Sequence, residues 1–443
     1  MESSGRINFV SCVKWIEKGK ARTEPLKIKI SKEELVEMIK NTQEELNLTR
    51  SDEREEDDTQ EGDVNMDNYE EESDNSNLPS LASIRELSTN PQDYLSDSEE
   101  SDKEDDMIKN NDNLILLGRF DGDACMLEVH VYNEEEVSFY CHHDFLLPSF
   151  PVCFEWLNYE ANSPLGNYVA VGMMEPIIEI YNLDIINVMK PSYKLGQKAN
   201  RKRGRPQMGH TSSVLSLAWN RTYDHVLASG SSDKSIILWD LEKKEPSTTI
   251  NAFEGDVQCL DWHKVETQSL LAGGCDCQVK LFDCNSPDSH LTWKLDGECE
   301  TLNWHPLQPY MFMAGTNIGS LQCFDCRKGP LWSLSAHDKE LSGVFISGEC
   351  PGLLVTGSHD GMVKTWDYSG ENIPELVHTK DFNLGTILSL EGSPNCPFVI
   401  AAGGDNKDGN FIVYDVRNID VVKHKFENRE VKRLDPSTSS EQK

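Results

Sequence analysis

The 443-residue sequence contains no run of about eighteen apolar residues, and it does not begin with an apolar stretch. We therefore expect no membrane-spanning helix and no secretory signal peptide. Positive charge is also scarce, because 42 Lys and Arg face 76 Asp and Glu and leave a net charge of −34. That balance excludes a protein that coats nucleic acid with its whole surface. It favours basic partners, or the selective use of a small basic patch.

Motifs for catalysis and for cofactor binding are missing as well. The sequence has no phosphate-binding loop and no metal-ligand set. Its 13 cysteines are an odd number, which favours reduced thiols in the cytosol or nucleus. Cys275-x-Cys277 and Cys323-x-x-Cys326 lack the spaced companions of a zinc site, and we interpret them as small core residues. We expect no enzyme, no cofactor and no metal.

A third apparent metal motif consists of His142, His143 and Asp144. Three adjacent residues of a strand cannot all point the same way. We interpret them as turn and loop residues.

What the sequence does have is a repeat. An aromatic residue followed by Asp or Asn closes each unit: Tyr132, Tyr181, Trp239, Phe282, Phe324, Trp366 and Tyr414. These residues are spaced by 49, 58, 43, 42, 42 and 48 positions. A second series ends the first strand of a unit: Trp15, Trp156, Trp219, Trp262 and Trp304. Short alternating runs between turn residues indicate strands, and this period is typical of WD repeats. The prediction is an all-β protein, a seven-bladed WD-repeat β-propeller, with a short N-terminal helix and a disordered acidic insert.

The best-preserved unit, residues 209–240, matches the structural tetrad of such blades at His210, Ser229, Asp233 and Trp239. Ser, His and Asp together could suggest a hydrolase, but we interpret them as a buried hydrogen-bond network. Other units keep part of the pattern: Asp276, Asp360 and Asp408 hold the turn position, Ile318 replaces it, and His337 opens the Trp366 unit.

Composition and pattern divide the chain into segments. They are an N-terminal segment with the inner strand of blade 1 (1–30), a helix (31–48), an acidic disordered insert (49–112), the propeller (113–430) with a basic loop (196–209), and a disordered tail (431–443). The interrupted first blade places the N-terminal strand beside the last blade. Residues 421–426 are expected to form the outer strand of that last blade.

The acidic insert cannot bury enough apolar surface to fold. Residues 50–112 hold 23 Asp and Glu against five Lys and Arg. Its default role is a solvated spacer, and its functional alternative is a polyanionic arm for histone tails or ribosomal proteins. Within it, Ser96, Ser98 and Ser101 precede acidic residues and are candidate phosphorylation sites.

The basic loop contains the densest cluster of cations in the chain: Lys198, Arg201, Lys202, Arg203 and Arg205. It is interpreted first as a nuclear localisation signal read by importin. Arg203-Gly204-Arg205-Pro206 also matches the core of a motif whose two arginines enter the minor groove of DNA. The third interpretation of the loop, beside nuclear localisation and minor-groove insertion, is contact with nucleic-acid phosphates.

Several segments resemble the periodic tryptophan protein 1 family. They are DNLILLGRF, LEVHVYNEEEVSFYCHHDFLL, FEWLNY, GNYVAVGMMEPIIEIYNLDI and VYDVRNI, with VSCVKW and SKEEL near the N-terminus. The resemblance implies a nuclear and nucleolar protein of ribosome biogenesis, linked to ribosomal RNA transcription and large-subunit precursor processing. In animals it also implies association with chromatin. The family has a plain lysine run where this chain has RKRGRP, so the minor-groove motif is not carried over.

Three functions compete, and an enzyme is the least favoured because no catalytic motif stands outside the structural tetrads. The first is a scaffold that binds pre-ribosomal proteins or ribosomal RNA precursors. The second is a chromatin-associated transcription regulator whose propeller reads histone tails, for which an aromatic cage at the mouth of the ring would be needed.

Overall fold

A computed structural model describes residues 7–27, 107–160, 166–199, 204–286, 290–370 and 373–429. The predicted helix (31–48), nearly all of the acidic insert and the tail lie outside these residues. The described residues form seven antiparallel sheets arranged as blades around a ring. The prediction of a seven-bladed all-β propeller is therefore confirmed.

Each blade is built from strands that follow one another from the centre of the ring outwards. The inner strands are β1 (Asn8–Ile16), β6 (Pro151–Leu157), β11 (Val214–Trp219), β15 (Val257–Trp262), β19 (Cys299–Trp304), β23 (Leu341–Ile346) and β27 (Ile387–Gly392). The second strands are β3 (Asn113–Asp121), β7 (Tyr168–Met173), β12 (Val226–Ser231), β16 (Ser269–Gly274), β20 (Met311–Thr316), β24 (Leu353–Ser358) and β28 (Val399–Gly404).

The outer half of each blade completes the pattern. The third strands are β4 (Ala124–Asn133), β8 (Ile178–Asn182), β13 (Ile236–Asp240), β17 (Gln278–Asp283), β21 (Ser320–Asp325), β25 (Met362–Asp367) and β29 (Phe411–Asp415). The fourth strands are β5 (Ser138–Leu147), β10 (Tyr193–Leu195), β14 (Glu245–Ile250), β18 (His290–Lys294), β22 (Gly329–Ser335) and β26 (Glu375–Asp381). Two short strands, β2 (Leu26–Lys27) and β9 (Ile185–Ile186), pair in parallel beside blade 2.

Blade 1 is assembled from two distant parts of the chain. β1 pairs antiparallel with β3, so the strand before the insert is joined to the strand after it. Residues 107–112, which the sequence assigned to the insert, belong to the propeller because Ile108 and Asp112 are buried against it. The Asp112 carboxylate accepts a hydrogen bond of 2.7 Å from the Asn133 side chain. The propeller therefore resumes earlier than the predicted boundary.

The ring closes where β1 lies between β6 of blade 2 and β27 of blade 7. The Lys14 ammonium lies 2.8 Å from the Glu155 carboxylate and 3.3 Å from the Glu391 carboxylate, so one cation bridges three blades. Glu391 also accepts a 2.7 Å hydrogen bond from the Trp15 backbone N–H. Burial raises the pKa of Glu391, and Lys14 opposes that effect.

The tryptophan series of the inner strands has a structural reason. The indole N–H groups of Trp15, Trp262 and Trp304 donate to inner-strand carbonyl oxygens of the neighbouring blade at 3.0–3.3 Å. The indoles of Trp156 and Trp219 bond within their own blades instead. Tryptophan thus supplies buried apolar area and, in three blades, a bond to the adjacent blade.

The end of the chain departs from the prediction. Residues 421–426 were expected to form an outer strand, but Asp420–Phe426 is a helix, α1, preceded by a 3₁₀ turn at Val416–Asn418. Its buried residues Val422 and Phe426 are four apart, which is helical and not strand spacing. α1 packs on β26 of blade 6. In the described residues, blade 7 has only three strands.

Candidate functional site

The four predicted tetrad residues of blade 3 meet in one hydrogen-bond chain. His210 Nδ1 lies 3.0 Å from Asp233 Oδ2, and His210 Nε2 lies 2.7 Å from Ser229 Oγ. The Trp239 indole donates to the same Ser229 oxygen at 2.8 Å. Gly209 has φ +89°, and a Cβ there would lie 2.5 Å from the Trp239 ring, which explains the Gly-His pair. His210 and Ser229 are fully buried, so the chain holds the blade together and offers no nucleophile to solvent.

Blade 6 contains a second complete tetrad, of which sequence reasoning missed one residue. His337 contacts Asp360 at 3.0 Å and Thr356 at 2.8 Å, and the Trp366 indole donates to Thr356 at 2.9 Å. Thr356 stands four residues before Asp360, as Ser229 stands before Asp233. That equal spacing was a signal in the sequence that could have identified it.

The turn position is filled differently in other blades. In blade 7 the predicted Asp408 does not hold it: Asp405 accepts the backbone N–H of Thr386 at 2.6 Å. The turn after β28 is longer than in the other blades, and the carboxylate that fills the turn position lies closer to the end of β28 than predicted. In blade 5, where Ile318 is exposed, Asn317 accepts the corresponding backbone N–H.

The apparent metal motifs do not form a metal site in the described part of the chain, where no group of three His, Cys, Asp or Glu side chains could hold an ion. His142, His143 and Asp144 lie within β5 and not in a turn, contrary to the prediction. His143 is buried, and burial lowers its pKa to about 3. Nor is any helix in the described ranges long and apolar enough to cross a membrane.

The basic loop lies on the face of the ring that carries the tetrad turns, which we call the tetrad face. Gln197 and Met208 exchange backbone hydrogen bonds of 2.8 and 3.0 Å, which closes the loop at its base. Lys198 forms an ion pair with Glu175, and Arg205 is exposed. The remaining predicted cations, Arg201, Lys202 and Arg203, and the serines Ser96, Ser98 and Ser101 lie outside the described residues.

The same face carries a set of carboxylates that sequence reasoning did not single out. Each inner strand has a bulge near its start, and the bulged residues Gln258 and Glu300 of adjacent blades approach to 3.5 Å. Burial, followed by repulsion from Glu340 and Glu298, raises the pKa of Glu300 to about 7. These groups come from different repeats, so only ring closure brings them together.

We call this region the acidic mouth and define it as Asp256, Glu298, Glu300, Glu340 and Asp405 with His359. His359 Nδ1 lies 3.2 Å from Glu340, and that hydrogen bond raises the pKa of His359. A depression of about 490 Å³ adjoins the mouth between blades 6 and 7. These carboxylates, all but Asp405 half-buried, repel one another, so they should bind a cationic group and lose that repulsion.

The substitution Glu300→Gln tests the repulsion between carboxylates in the mouth. The folded-state pKa of Glu300, about 7, exceeds its ordinary value of 4.5, so the folded state binds the proton more tightly. Its contribution to stability is fully present below the ordinary pKa and is lost as the pH rises through 7. The variant should therefore be more stable than the parent by about 1 kcal/mol at pH 8 and nearly equal to it below pH 5.

The measurement is denaturant unfolding at both pH values. Glu254→Gln, which removes an exposed carboxylate on the same face, is the control and should show no such pH dependence. An equal effect of Glu300→Gln at both pH values would contradict the assigned repulsion.

Comparison with known proteins agrees with this architecture. Three segments match the family model "WD domain, G-beta repeat", residues 203–240, 244–283 and 328–367. A chain in the crystal structure of a mitotic checkpoint complex superposes with a TM-score of 0.54 at 18% identity, covering 69% of this chain and 84% of that one. This likeness supports the fold alone.

Relatives of known name extend the likeness to the whole chain. The periodic tryptophan protein 1 of Saccharomyces cerevisiae is 28% identical over 70% of this chain and 64% of its own. A shorter match, 29% identical, joins 27% of this chain to 25% of a ribosome biogenesis protein WDR12 homolog of Trichoplax adhaerens. The periodic tryptophan protein 1 homolog of Drosophila melanogaster is 38% identical over 95% of this chain and 96% of its own. With likeness along nearly its whole length, the chain belongs to the periodic tryptophan protein 1 family of WD-repeat proteins.

Proposed function

We propose that the protein is a non-catalytic scaffold of ribosome biogenesis in the nucleus and nucleolus. It would act in ribosomal RNA transcription and in the processing of large-subunit precursor RNA. The observation that carries the proposal is the acidic mouth. Its carboxylates are fixed on the loops and inner strands of a rigid ring, and burial, followed by repulsion from Glu340 and Glu298, raises the pKa of Glu300.

Basic segments of pre-ribosomal proteins are the partners that this chemistry fits best. A Lys or Arg side chain entering the mouth would relieve the repulsion among Glu298, Glu300 and Glu340 without moving the backbone. The name of the Trichoplax relative, a ribosome biogenesis protein, supports the assignment of this partner class.

Histone tails are also basic, so a chromatin-associated regulator is the second candidate. Recognition of a methylated lysine needs an aromatic cage. Among the described residues that line the depression beside the mouth, none is Trp, Tyr or Phe. The mouth thus favours recognition by charge over recognition of a methylated side chain.

The basic loop would serve as the nuclear localisation signal that importin binds. Arg205 is exposed and Lys198 is more than half exposed, which recognition requires. Changing the five cations of the loop to alanine should leave the protein in the cytoplasm. A fused unrelated nuclear signal should then restore both location and function. Failed rescue would show that the loop contacts nucleic acid.

The central experiment is co-purification with the tagged full-length chain. We expect precursor ribosomal RNA and pre-ribosomal proteins to predominate over nucleosomes. The combined change of Glu298, Glu300 and Glu340 to Gln should reduce their recovery several-fold, because it removes the charge of the mouth.

The matched control changes Glu242, Glu245 and Glu266 to Gln, three exposed acids on the opposite face. It removes the same charge and should leave recovery unchanged. Recovery dominated by nucleosomes would favour the chromatin function. An equal loss of recovery in both variants would mean that the mouth acts only through the net charge of the protein.

A further inference from the structure

Blade 7 differs from the six other blades in the number of its strands. Those six have four strands each, whereas blade 7 contains β27, β28 and β29 in the described residues. After Asp415 the chain turns away into α1, which packs on blade 6. The position of a fourth strand beside β29 is not taken by any described strand.

The register shows which groups of β29 face that position. Gly404 N donates to Asn410 O, and Val416 N donates to Phe398 O, so these pairs mark the bonded positions of the β28–β29 ladder. Bonded positions alternate along an antiparallel pair. Phe411, Val413 and Asp415 therefore direct their N–H and C=O groups outwards, away from β28.

The sequence of this edge does nothing to discourage pairing. The strand reads FIVYD, with β-branched and aromatic residues and neither Lys nor Pro. Exposed edges are usually protected by such residues, because an open row of N–H and C=O groups is a template for another strand. All five residues of β29 are half-buried, whereas all six residues of β21, which has a fourth strand beside it, are buried.

Apolar side chains flank the edge on both sides. Toward blade 1, the ring of Phe139 lies 5.7 Å from that of Phe411 and is 44% exposed. Toward blade 6, the ring of Phe382 lies 4.8 Å from that of Tyr414, and the Lys380 ammonium lies over both rings and donates to the Tyr414 hydroxyl at 2.9 Å. An added strand would cover apolar surface with side chains on either of its faces.

Charge at the ends of the edge indicates the kind of strand. Glu134 and Asp415 share the single cation Arg417 at one end, at 3.1 and 2.6 Å. The hairpin at the other end carries Asp405, which also belongs to the acidic mouth, and Asp408, with Lys407 between them. At the two ends, four carboxylates therefore face two cations, and with a chain charge of −34 these surroundings favour a basic segment over an acidic one.

We propose that the outer edge of β29 is a docking site for an extended basic segment of a partner protein. The segment adds as the fourth strand of blade 7, with main-chain bonds to Phe411, Val413 and Asp415 and alternating apolar side chains against the flanking rings. This surface shares only Asp405 with the acidic mouth, and its binding groups are the main-chain atoms of β29, so its failure would leave the proposed function standing.

The test uses the full-length chain and a fluorescein-labelled peptide of nine alternating Lys and Val residues. A matched peptide is N-methylated at alternate positions along one edge, and a third carries Glu in place of Lys. We expect the first peptide to bind and the other two to bind at least tenfold more weakly, by fluorescence anisotropy. Equal binding of the N-methylated peptide would overturn the proposal, because that peptide cannot complete the ladder.

Hydrogen exchange locates the binding. The amides of Phe411, Val413 and Asp415 should exchange at least tenfold more slowly when the Lys-Val peptide is bound. Val413→Pro removes one outward N–H and should weaken binding, whereas Val413→Thr keeps it and should not. If Val413→Pro does not fold, the N-methylated peptide provides the same comparison on the unaltered protein.

Protection of these three amides without any peptide would also overturn the proposal. If that protection depends on protein concentration, the occupant is a second copy of the chain. If it does not, another segment of the same chain covers the edge.

Discussion

Alanine in place of Trp239 is expected to lower the free energy of unfolding by about 3–5 kcal/mol. The indole is fully buried, packs on Gly209 and donates to Ser229, so its removal leaves a cavity and deprives the Ser229 hydroxyl of one hydrogen bond. Trp239→Phe keeps most of the apolar volume and removes only the donor. It should cost about 1–2 kcal/mol. Urea unfolding of the full-length chain measures both losses.

Two further variants make this comparison specific. Trp366→Phe removes the equivalent donor of the second tetrad and should cost about as much as Trp239→Phe. Ile318→Ala lies at the turn of blade 5 and is 54% exposed, so it should change stability by less than about 0.5 kcal/mol. A loss at Ile318 equal to that at Trp239 would contradict the importance of the tetrad.

Removal of β1 is expected to abolish folding of the ring. A chain that starts at residue 28 lacks the inner strand of blade 1, and with it the buried side chains of Val10, Trp15 and Ile16. It also lacks Lys14, which leaves the carboxylates of Glu155 and Glu391 without their shared cation. Circular dichroism and thermal unfolding should show no cooperative transition.

Addition of a synthetic peptide of residues 7–27 should restore that transition. Because hydrogen bonds and side-chain packing hold β1 in the ring, a separate peptide can occupy the position of β1. Lys14→Glu in the peptide should reduce its affinity at least tenfold, since a third carboxylate would join the cluster. Arg22→Glu, at an exposed side chain, is the matched control and should bind normally. Cooperative unfolding of the truncated chain alone would show that β1 is dispensable.

Much of the ring could be predicted because a propeller repeats one pattern of aromatic and turn residues. Trp219 and Trp239 mark the ends of two strands, and the same spacing recurs in later blades. The fate of residues 421–426 was harder to predict, because VVKHKF fits a strand and a helix equally in so short a run. Packing against blade 6 decided for the helix, since Val422 and Phe426 are buried on one face.

The acidic mouth could not be predicted in the same way. Glu300 sits at a bulge and His359 in a turn, and nothing in the local sequence shows that they converge. Their proximity depends on the order and the closure of the blades. Thr356 is a different case. Its spacing from Asp360 was visible in the sequence, and it was missed because threonine stands where the other tetrad has serine.

The place of β1 also has a consequence for synthesis of the protein. β1 is translated before the other described strands, yet its backbone N–H groups bond to Ser389 and Glu391, 376 residues later. At about 5–20 residues per second, the seam of the ring stays open for roughly 20 to 75 seconds of translation. During that time the completed blades form an open arc whose terminal faces expose apolar side chains, which are prone to aggregate. We therefore expect the nascent chain to depend on chaperones until its last blade has emerged.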